Sequence, residues 1–360
     1  MEIGGVRVSE PTVSIIVINW NGERFLSRCL EAIREQTYPD IELFVIDNAS
    51  SDGSVDLIKG DFPDVRLVEN GANLGFCRAF NQGVRMARGE YVMPLNPDVF
   101  MTPTFIVEMV KAAESDRRIG SVTGKLLQNP AGRFDREEII DSTGLFLDRR
   151  RRTYDRGQGE VDRGQYDSLP YVFGACGAAP LYRRAMLENI AIGGEFFDED
   201  FFAYYEDADL AWRAQLLGWR CAYAPGAVAY HVRGSGDTFR KKGHRPKDPA
   251  GQIHALKNRY LMLVKNDAFS HLLLDLPWIL ANEVSRYIYM ALFAPQLLRG
   301  TIWWVSLFKS AWEKRRVILR RKVVSNAYIR QWFVDPFKAS QTLPQVRKPV
   351  GGSSGGEHLC

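Results

Sequence analysis

The sequence predicts an α/β fold: a Rossmann-like, mostly parallel sheet with flanking helices, followed by a C-terminal amphipathic helical region. Three observations predict it. Short runs rich in β-branched residues alternate with segments of helical spacing up to about residue 100. Polar turn clusters follow those runs, where the strand ends of such a sheet form a ligand crevice. After about Pro249 the alternation stops and apolar, aromatic segments take over.

The first run, VSIIVIN (13–19), reads as a strand buried on both faces. A helical pattern follows from Glu23 to Gln36, with Phe25, Leu26, Cys29, Leu30 and Ile33 on one side. IELFVID (41–47) is the next strand, then the turn-rich NASSDGS, a short helix, and the strand VRLVEN (65–70). A helix from about Gly75 to Ala87 and the strand YVMPLN (91–96) complete this half. Residues 115–170 are less regular, and GLFLDRR and RRTYDRG suggest antiparallel excursions and loops. A second block runs from Tyr171 to His231: an apolar strand YVFGACGAAPLYRR, an acidic aromatic stretch, and a strand RCAYAPGAVAYH. Within it Asp207–Leu217 has helical periodicity, and Gly218 ends the helix.

The chain has 360 residues, enough for one large α/β domain with an appendage or for two modest domains. Its 46% apolar and 25% charged residues suit a packed core. A net charge of +4 gives no argument for nucleic acid. The basic residues gather in Arg149–Arg152 and after Lys309. Five scattered cysteines (Cys29, Cys77, Cys176, Cys221, Cys360), without a CxxC pair, read as a reducing compartment and no structural zinc. MEIGGVRVSEP lacks the pattern of a secretory signal, so a cytoplasmic protein is expected.

The C-terminal region is strongly apolar but is interrupted by Asp275, Glu283, Arg286 and Arg299. Its longest uncharged run, Tyr287–Leu298, has 12 residues, short of the roughly 20 that cross a bilayer. Lys309–Lys322 holds seven Lys or Arg against one Glu. Amphipathic helices beside a basic cluster fit a segment lying in a membrane interface. A helical dimerisation or packing layer, as in a homo-oligomer, is the other reading. The tail GGSSGGEHLC is low-complexity and expected to be disordered.

Several residues carry chemistry. Asp47 ends its strand, where a carboxylate accepts from a ribose or base N–H; an Asx-turn is the structural alternative. Gly75 permits close backbone approach, and Asn73 reads as a helix cap. Asp98, in Leu95-Asn96-Pro97-Asp98, offers a hard oxygen to a divalent cation shared with a diphosphate; a simple turn is the alternative. Glu206 and Asp207 suit the first turn of a helix, and Asp209 has Arg213 four residues on.

The series SIIVINWNG, DNASSDGS, NLGF, LNPDV and YYEDADLAWRAQLLGW, in this order, resembles the family 2 inverting glycosyltransferases of GT-A fold, and the NLGF and NPD variants resemble their bacterial rhamnosyltransferase branch. The likeness covers about residues 11–265, and KNRYLMLVKN also resembles that branch. The resemblance implies that Asn19, Asn21 and Asp47 contact the nucleoside. It places Asn73 and Arg78 near the nucleotide or its phosphates, and Asn96 and Asp98 at the metal site, with Mg²⁺ or Mn²⁺ the expected ion. Asn96 replaces the first acid of that site. His231 matches a position that helps bind metal or diphosphate in some relatives; a hydrogen-bonded histidine at a strand end is the alternative. Asp207 matches the base that takes the acceptor proton, with Glu206 and Asp209 in support.

The expected layout is a catalytic domain at 1–265, with a nucleotide half at about 11–100 and an acceptor half at about 100–265. A helical membrane-interface or oligomerisation region follows at 266–340, and a disordered tail at 341–360. The branch resemblance implies a dTDP-L-rhamnose donor and a saccharide or lipid-linked saccharide acceptor, used at the cytoplasmic face of the inner membrane. A UDP-hexose or UDP-galactofuranose donor, and a non-catalytic nucleotide-sugar-binding protein, are the alternatives. A nucleotidyltransferase is disfavoured because VINWNGERF lacks a Gly-rich, basic triphosphate loop.

Overall fold

The computed structural model describes residues 10–128, 138–232 and 249–334. Arg233 and the tail from 341 onward lie outside them. The N-terminal part alternates β1 (Val13–Asn19), α1 (Glu23–Arg34), β2 (Ile41–Asp47), α2 (Ser54–Asp61), β3 (Arg66–Glu69), α3 (Phe76–Met86) and β4 (Tyr91–Leu95). These strands lie parallel in the order β3-β2-β1-β4, so their polar ends share one edge. β1 is buried throughout, as its mainly apolar run requires. α1 packs Leu26, Cys29, Leu30 and Ile33 beneath the sheet.

The middle of the chain is more regular than its sequence suggests. After β5 (Val99–Met101) and α4 (Phe105–Glu114) comes β6 (Ile119–Gln128), a ten-residue strand running parallel to β12 (Arg220–His231) deep in the main sheet. Lys125 obscures it, because a lysine breaks the apolar pattern. The fold accommodates that ammonium with Asp162 at 2.9 Å and Asp167 at 3.1 Å. β7 (Ile140–Ser142) joins the main sheet beside β6, and β8 (Leu145–Asp148) and β9 (Thr153–Asp155) form a small separate sheet.

The single strand expected over Tyr171–Arg184 is two short ones, β10 (Tyr171–Val172) and β11 (Leu181–Arg183), the latter antiparallel to both β4 and β6. Between them the chain leaves the sheet to press against a helix, α6 (Glu206–Leu216), which follows α5 (Arg184–Ile190). Gly174 makes this contact possible: a Cβ there would lie 2.3 Å from Ala211 Cβ. α6 ends at Gly218, whose φ of +84° suits a helix terminus.

The C-terminal layer contains α7 (Pro249–Asn266), α8 (Phe269–Phe293), α9 (Leu298–Ser306), α10 (Phe308–Arg321) and α11 (Asn326–Arg330). Its last residues form β13 (Phe333–Val334), which pairs with β8 and ties the layer to the α/β body. No helix among the described residues is long and apolar enough to cross a membrane. α8 carries an apolar stripe on its outer face, with Phe269, Leu273, Leu276, Leu280, Val284, Ile288 and Leu292 all exposed at helical spacing.

The basic clusters are less superficial than their composition suggests. Arg151 is fully buried, and Arg149 and Arg150 pair with Asp275 and Asp148. Lys314 and Arg315 of α10 also turn inward, leaving Lys309, Arg316 and Arg320 on the surface.

Candidate active site

The site begins where β1 and β2 end side by side, with Asn19 in register with Asp47. Asn19 Nδ2 donates to Asp47 Oδ1 at 2.8 Å and to Ser50 Oγ at 3.1 Å. Ser50 donates its backbone N–H and its hydroxyl to the same carboxylate, at 2.9 and 2.6 Å. Asp47 therefore ties down the turn that follows it, three residues on, and is buried within it. Asn21, at φ 53°, bridges to the same turn: its N–H donates to Ser50 Oγ, and its Oδ1 accepts from Ser51 N–H at 2.8 Å. Asn19 Oδ1 is buried without a protein partner, and only a glycine fits beside it at position 22, where a Cβ would come within 2.3 Å.

Asn73 is not a helix cap. Its Oδ1 accepts from Gly75 N–H at 2.9 Å in an Asx-turn, and Gly75 itself stands at the helix entrance with φ +82°. The free N–H of Cys77 in the first turn of α3 is taken by the carbonyl of Phe202 at 3.1 Å. Arg78 pairs with Glu199 at 2.9 Å, with its side chain about half exposed.

Asn96 follows β4, and its N–H donates to Ala178 O at 3.0 Å. Asp98 reaches His231 Nε2 at 3.5 Å, and the other ring nitrogen, Nδ1, is 2.8 Å from Asp141. Burial disfavours the imidazolium, but hydrogen bonds to Asp141 and Asp98 outweigh it and raise the pKa to about 9. Asp98 is a hard donor for a divalent cation, and His231 would join it only as the neutral ring, with the ion in place of the Nε2 proton; Asp141 lies behind the ring as a metal-ligand histidine's orienting carboxylate does. No cluster of three or more His, Cys, Asp or Glu in metal-binding arrangement occurs among the described residues. Asp141 escaped the sequence reading because it lies in an irregular stretch, 90 positions from its partner.

Asp207 connects the two halves. Its Oδ2 accepts from Gly177 N–H at 3.0 Å, in the same loop whose Ala178 carbonyl holds Asn96. Gly177 has room for that approach because it carries no Cβ; one there would sit 3.1 Å from the carboxylate. Burial and the nearby Asp155 raise the Asp207 pKa to about 6, against the N–H donors of Ala208 and Gly177. Burial and the adjacent Asp207 push Glu206 higher still, to about 8. Burial thus raises both carboxyls of this adjacent pair, Glu206 further than Asp207. Asp209 faces away: it is buried against Arg213 at 2.9 Å, Lys265 at 2.9 Å and Asn266 at 2.8 Å, as part of the packing.

Residues 14–190 match the family model described as Glycosyl transferase family 2. The chain is 28% identical over 272 residues to an N-acetylglucosaminyl-diphospho-decaprenol L-rhamnosyltransferase of Mycobacterium tuberculosis, covering 69% of this chain and 83% of that one. It is 25% identical over 230 residues to the putative glycosyltransferase EpsH of Bacillus subtilis, covering 62% of this chain and 61% of that one. Among solved structures, S. aureus TarS 1-349 in complex with UDP-GlcNAc superposes with a TM-score of 0.53 at 15% identity, over 86% of this chain and 90% of that one. GalNAc-T7 with UDP, GalNAc and Mn²⁺ gives 0.52 at 14% identity, over 71% of this chain and 48% of that one. Likeness at such identities is one of fold.

Proposed function

This chain belongs to family 2 of the glycosyltransferases and has their GT-A fold, and from that premise we propose that it moves L-rhamnose from dTDP-L-rhamnose to a lipid-linked saccharide with inversion at the anomeric carbon. The supporting observation is Asp207, a buried carboxylate held on the loop that also borders Asn96, with its pKa raised towards the range that suits a general base. Asp207 takes the proton of an acceptor hydroxyl. The freed oxygen attacks the anomeric carbon as the bond to the diphosphate breaks on the opposite face. Glu206, whose carboxyl burial and the adjacent Asp207 raise further still, resists a second negative charge in the buried pair. In this reading Asn19, Asn21 and Asp47 cradle the nucleoside, and Asn73, Arg78 and Asn96 line the path to the diphosphate. Asp98 and His231 would hold Mg²⁺ or Mn²⁺, which supplies positive charge to the departing diphosphate.

The rhamnose donor draws its support from the mycobacterial relative's name. A UDP-sugar is the competing reading, because TarS is seen with UDP-GlcNAc. A thermal-shift panel of dTDP- and UDP-sugars with and without Mn²⁺, followed by assay of released nucleoside diphosphate, separates them. Stabilisation and turnover by dTDP-L-rhamnose are expected. A response to UDP-sugars alone overturns the donor, and binding without diphosphate release would identify a non-catalytic binder. In the same panel Asp98→Ala should lose most of the Mn²⁺-dependent increase in donor affinity; an unchanged increase removes Asp98 from the metal site.

The outer stripe of α8, with exposed Lys309, Arg316 and Arg320 nearby in sequence on α10, supports docking on an anionic membrane surface, where a lipid-linked acceptor resides. We read residues 1–265 as the catalytic domain and 266–340 as the surface-binding layer on the cytoplasmic face of the inner membrane. Leu273→Glu with Leu280→Glu should abolish cosedimentation with anionic vesicles while the melting temperature stays within a few degrees. Retained vesicle binding sinks the reading. Loss of a dimer in sedimentation velocity, with no vesicle binding by the parent protein, would assign the stripe to a homo-oligomer instead.

A further inference from the structure

The loop that leads into Asp207 has a backbone unsuited to its own side chains. Phe202, Tyr204 and Tyr205 have φ of 68°, 73° and 67°, in the left-handed region that bulky residues rarely adopt. The local sequence FFAYYED offers no glycine or asparagine to ease it. Such a conformation persists only where neighbours over-determine it, and here those neighbours belong to the C-terminal helices.

Asn258 of α7 is fully buried, and its Nδ2 lies 2.9, 2.7 and 2.7 Å from the carbonyl oxygens of Phe201, Ala203 and Tyr204. One amide thus gathers three carbonyls of the strained turn. Lys257 donates to the Asp200 carbonyl just before it. From α10, Ser310 and Lys314 hold the Asp200 carboxylate at 2.7 and 2.8 Å, and Lys314 also pairs with Asp198. The Phe202 ring stacks on His254 of α7 with centroids 4.7 Å apart. The far side of the same turn meets the crevice: the Phe202 carbonyl takes the Cys77 N–H, and its ring lies where a Cβ at Gly75 would come within 2.5 Å.

We propose that Asn258 is a positioning residue for Asp207: by clamping the carbonyls of Phe201, Ala203 and Tyr204 it sets the point from which α6 starts, and so the register of the Asp207 carboxylate against Gly177. The inference rests on Asp207 being the base. It gives the C-terminal layer a second role, because the helices that carry the outward apolar stripe also hold the acid-bearing loop from within. Removing the chain beyond residue 268 would take Ser310 and Lys314 from this loop, so the membrane reading is better tested by point substitutions.

Asn258→Ala should lower kcat at least tenfold while donor affinity stays within twofold of the parent. Hydrogen exchange should accelerate at residues 201–208 and not across the central sheet. In the Tyr204→Gly background, where the left-handed turn no longer needs a clamp, the same substitution should cost less than threefold in kcat. An unchanged kcat, or an equal loss in both backgrounds, overturns the clamp. Asp207→Asn assayed in parallel separates the two claims. If it still turns over, the base assignment falls and takes this proposal with it; if it is inactive while Asn258→Ala behaves as the parent, only the clamp falls. Should Asn258→Ala fail to fold, Asn258→Ser carries the same comparison with one donor retained.

Discussion

Asp207→Asn is expected to lower kcat by ~100- to 10,000-fold, the usual contribution of a positioned general base, with nucleotide-sugar affinity within about twofold of the parent. The substitution keeps the size and planarity of the side chain, removes its capacity to take a proton, and turns one of its two accepting oxygens into a donor. Among the described residues, this carboxylate accepts from the N–H groups of Gly177 and Ala208. The parent enzyme should also lose kcat as the pH falls through about 6, where Asp207 acquires a proton. The sign follows from the direction of the shift. A carboxylate whose pKa is raised in the folded protein is a worse anion there than in the unfolded chain. Its ionisation therefore weakens the fold, progressively from the ordinary carboxylate range up to about pH 6, and not beyond. Loss of activity in the Asn variant should accordingly come without a matching fall in melting temperature. Rapid-quench measurement of transfer with donor titration checks both halves, and retained turnover removes Asp207 from the role.

Arg151→Met should destabilise the protein by about 3–5 kcal/mol, the cost of leaving a buried charge without its partner. Arg151 is fully buried, with Nε 2.7 Å from Asp267 and Nη1 3.0 Å from Asp275, and its guanidinium lies over the Phe333 ring at 4.0 Å. The two acids fare differently when it is removed. Asp275 keeps Arg149 and Arg330 at 2.7 and 2.9 Å. Burial opposes its charge, but the hydrogen bonds from Arg330, Arg149 and Arg151 together hold its carboxyl below the usual range. Asp267 keeps only His271 at 3.4 Å among the ion pairs described. It is therefore the carboxylate that is left behind. Urea titration followed by tryptophan fluorescence reads the loss, and Asp267→Leu added to Arg151→Met should recover part of it. A midpoint unmoved by Arg151→Met would show that the buried pair adds nothing net.

Much of the α/β body was legible because local patterns there agree with the fold. β1 and β4 announce themselves as mainly apolar runs, since strands covered on both faces need no alternation. α3 and α6 appear close to their expected limits for the same reason. β6 was hidden by Lys125, whose two acids lie 37 and 42 residues further along the chain. The broken strand between Tyr171 and Arg183 was hidden because Gly174 and Gly177 serve a helix that no local window contains. Asp209 and Arg213 read correctly as an i, i+4 pair, a contact that depends on helix geometry alone.

The sequence by itself determined the fold class, the family, and which residues are candidates for chemistry, because motif order, strand periodicity and turn composition are properties of neighbouring positions. Only the tertiary structure decided what those candidates touch. It closed Asp47 into its own turn, placed Asp141 behind His231, and set Asp207 on the Gly177 loop. It also buried Arg151 and turned Lys314 inward from the basic cluster that reads as a membrane-facing one. The reason is common to all of them: a buried polar group must find a partner wherever the fold supplies one, and that partner's distance along the chain carries no local signature.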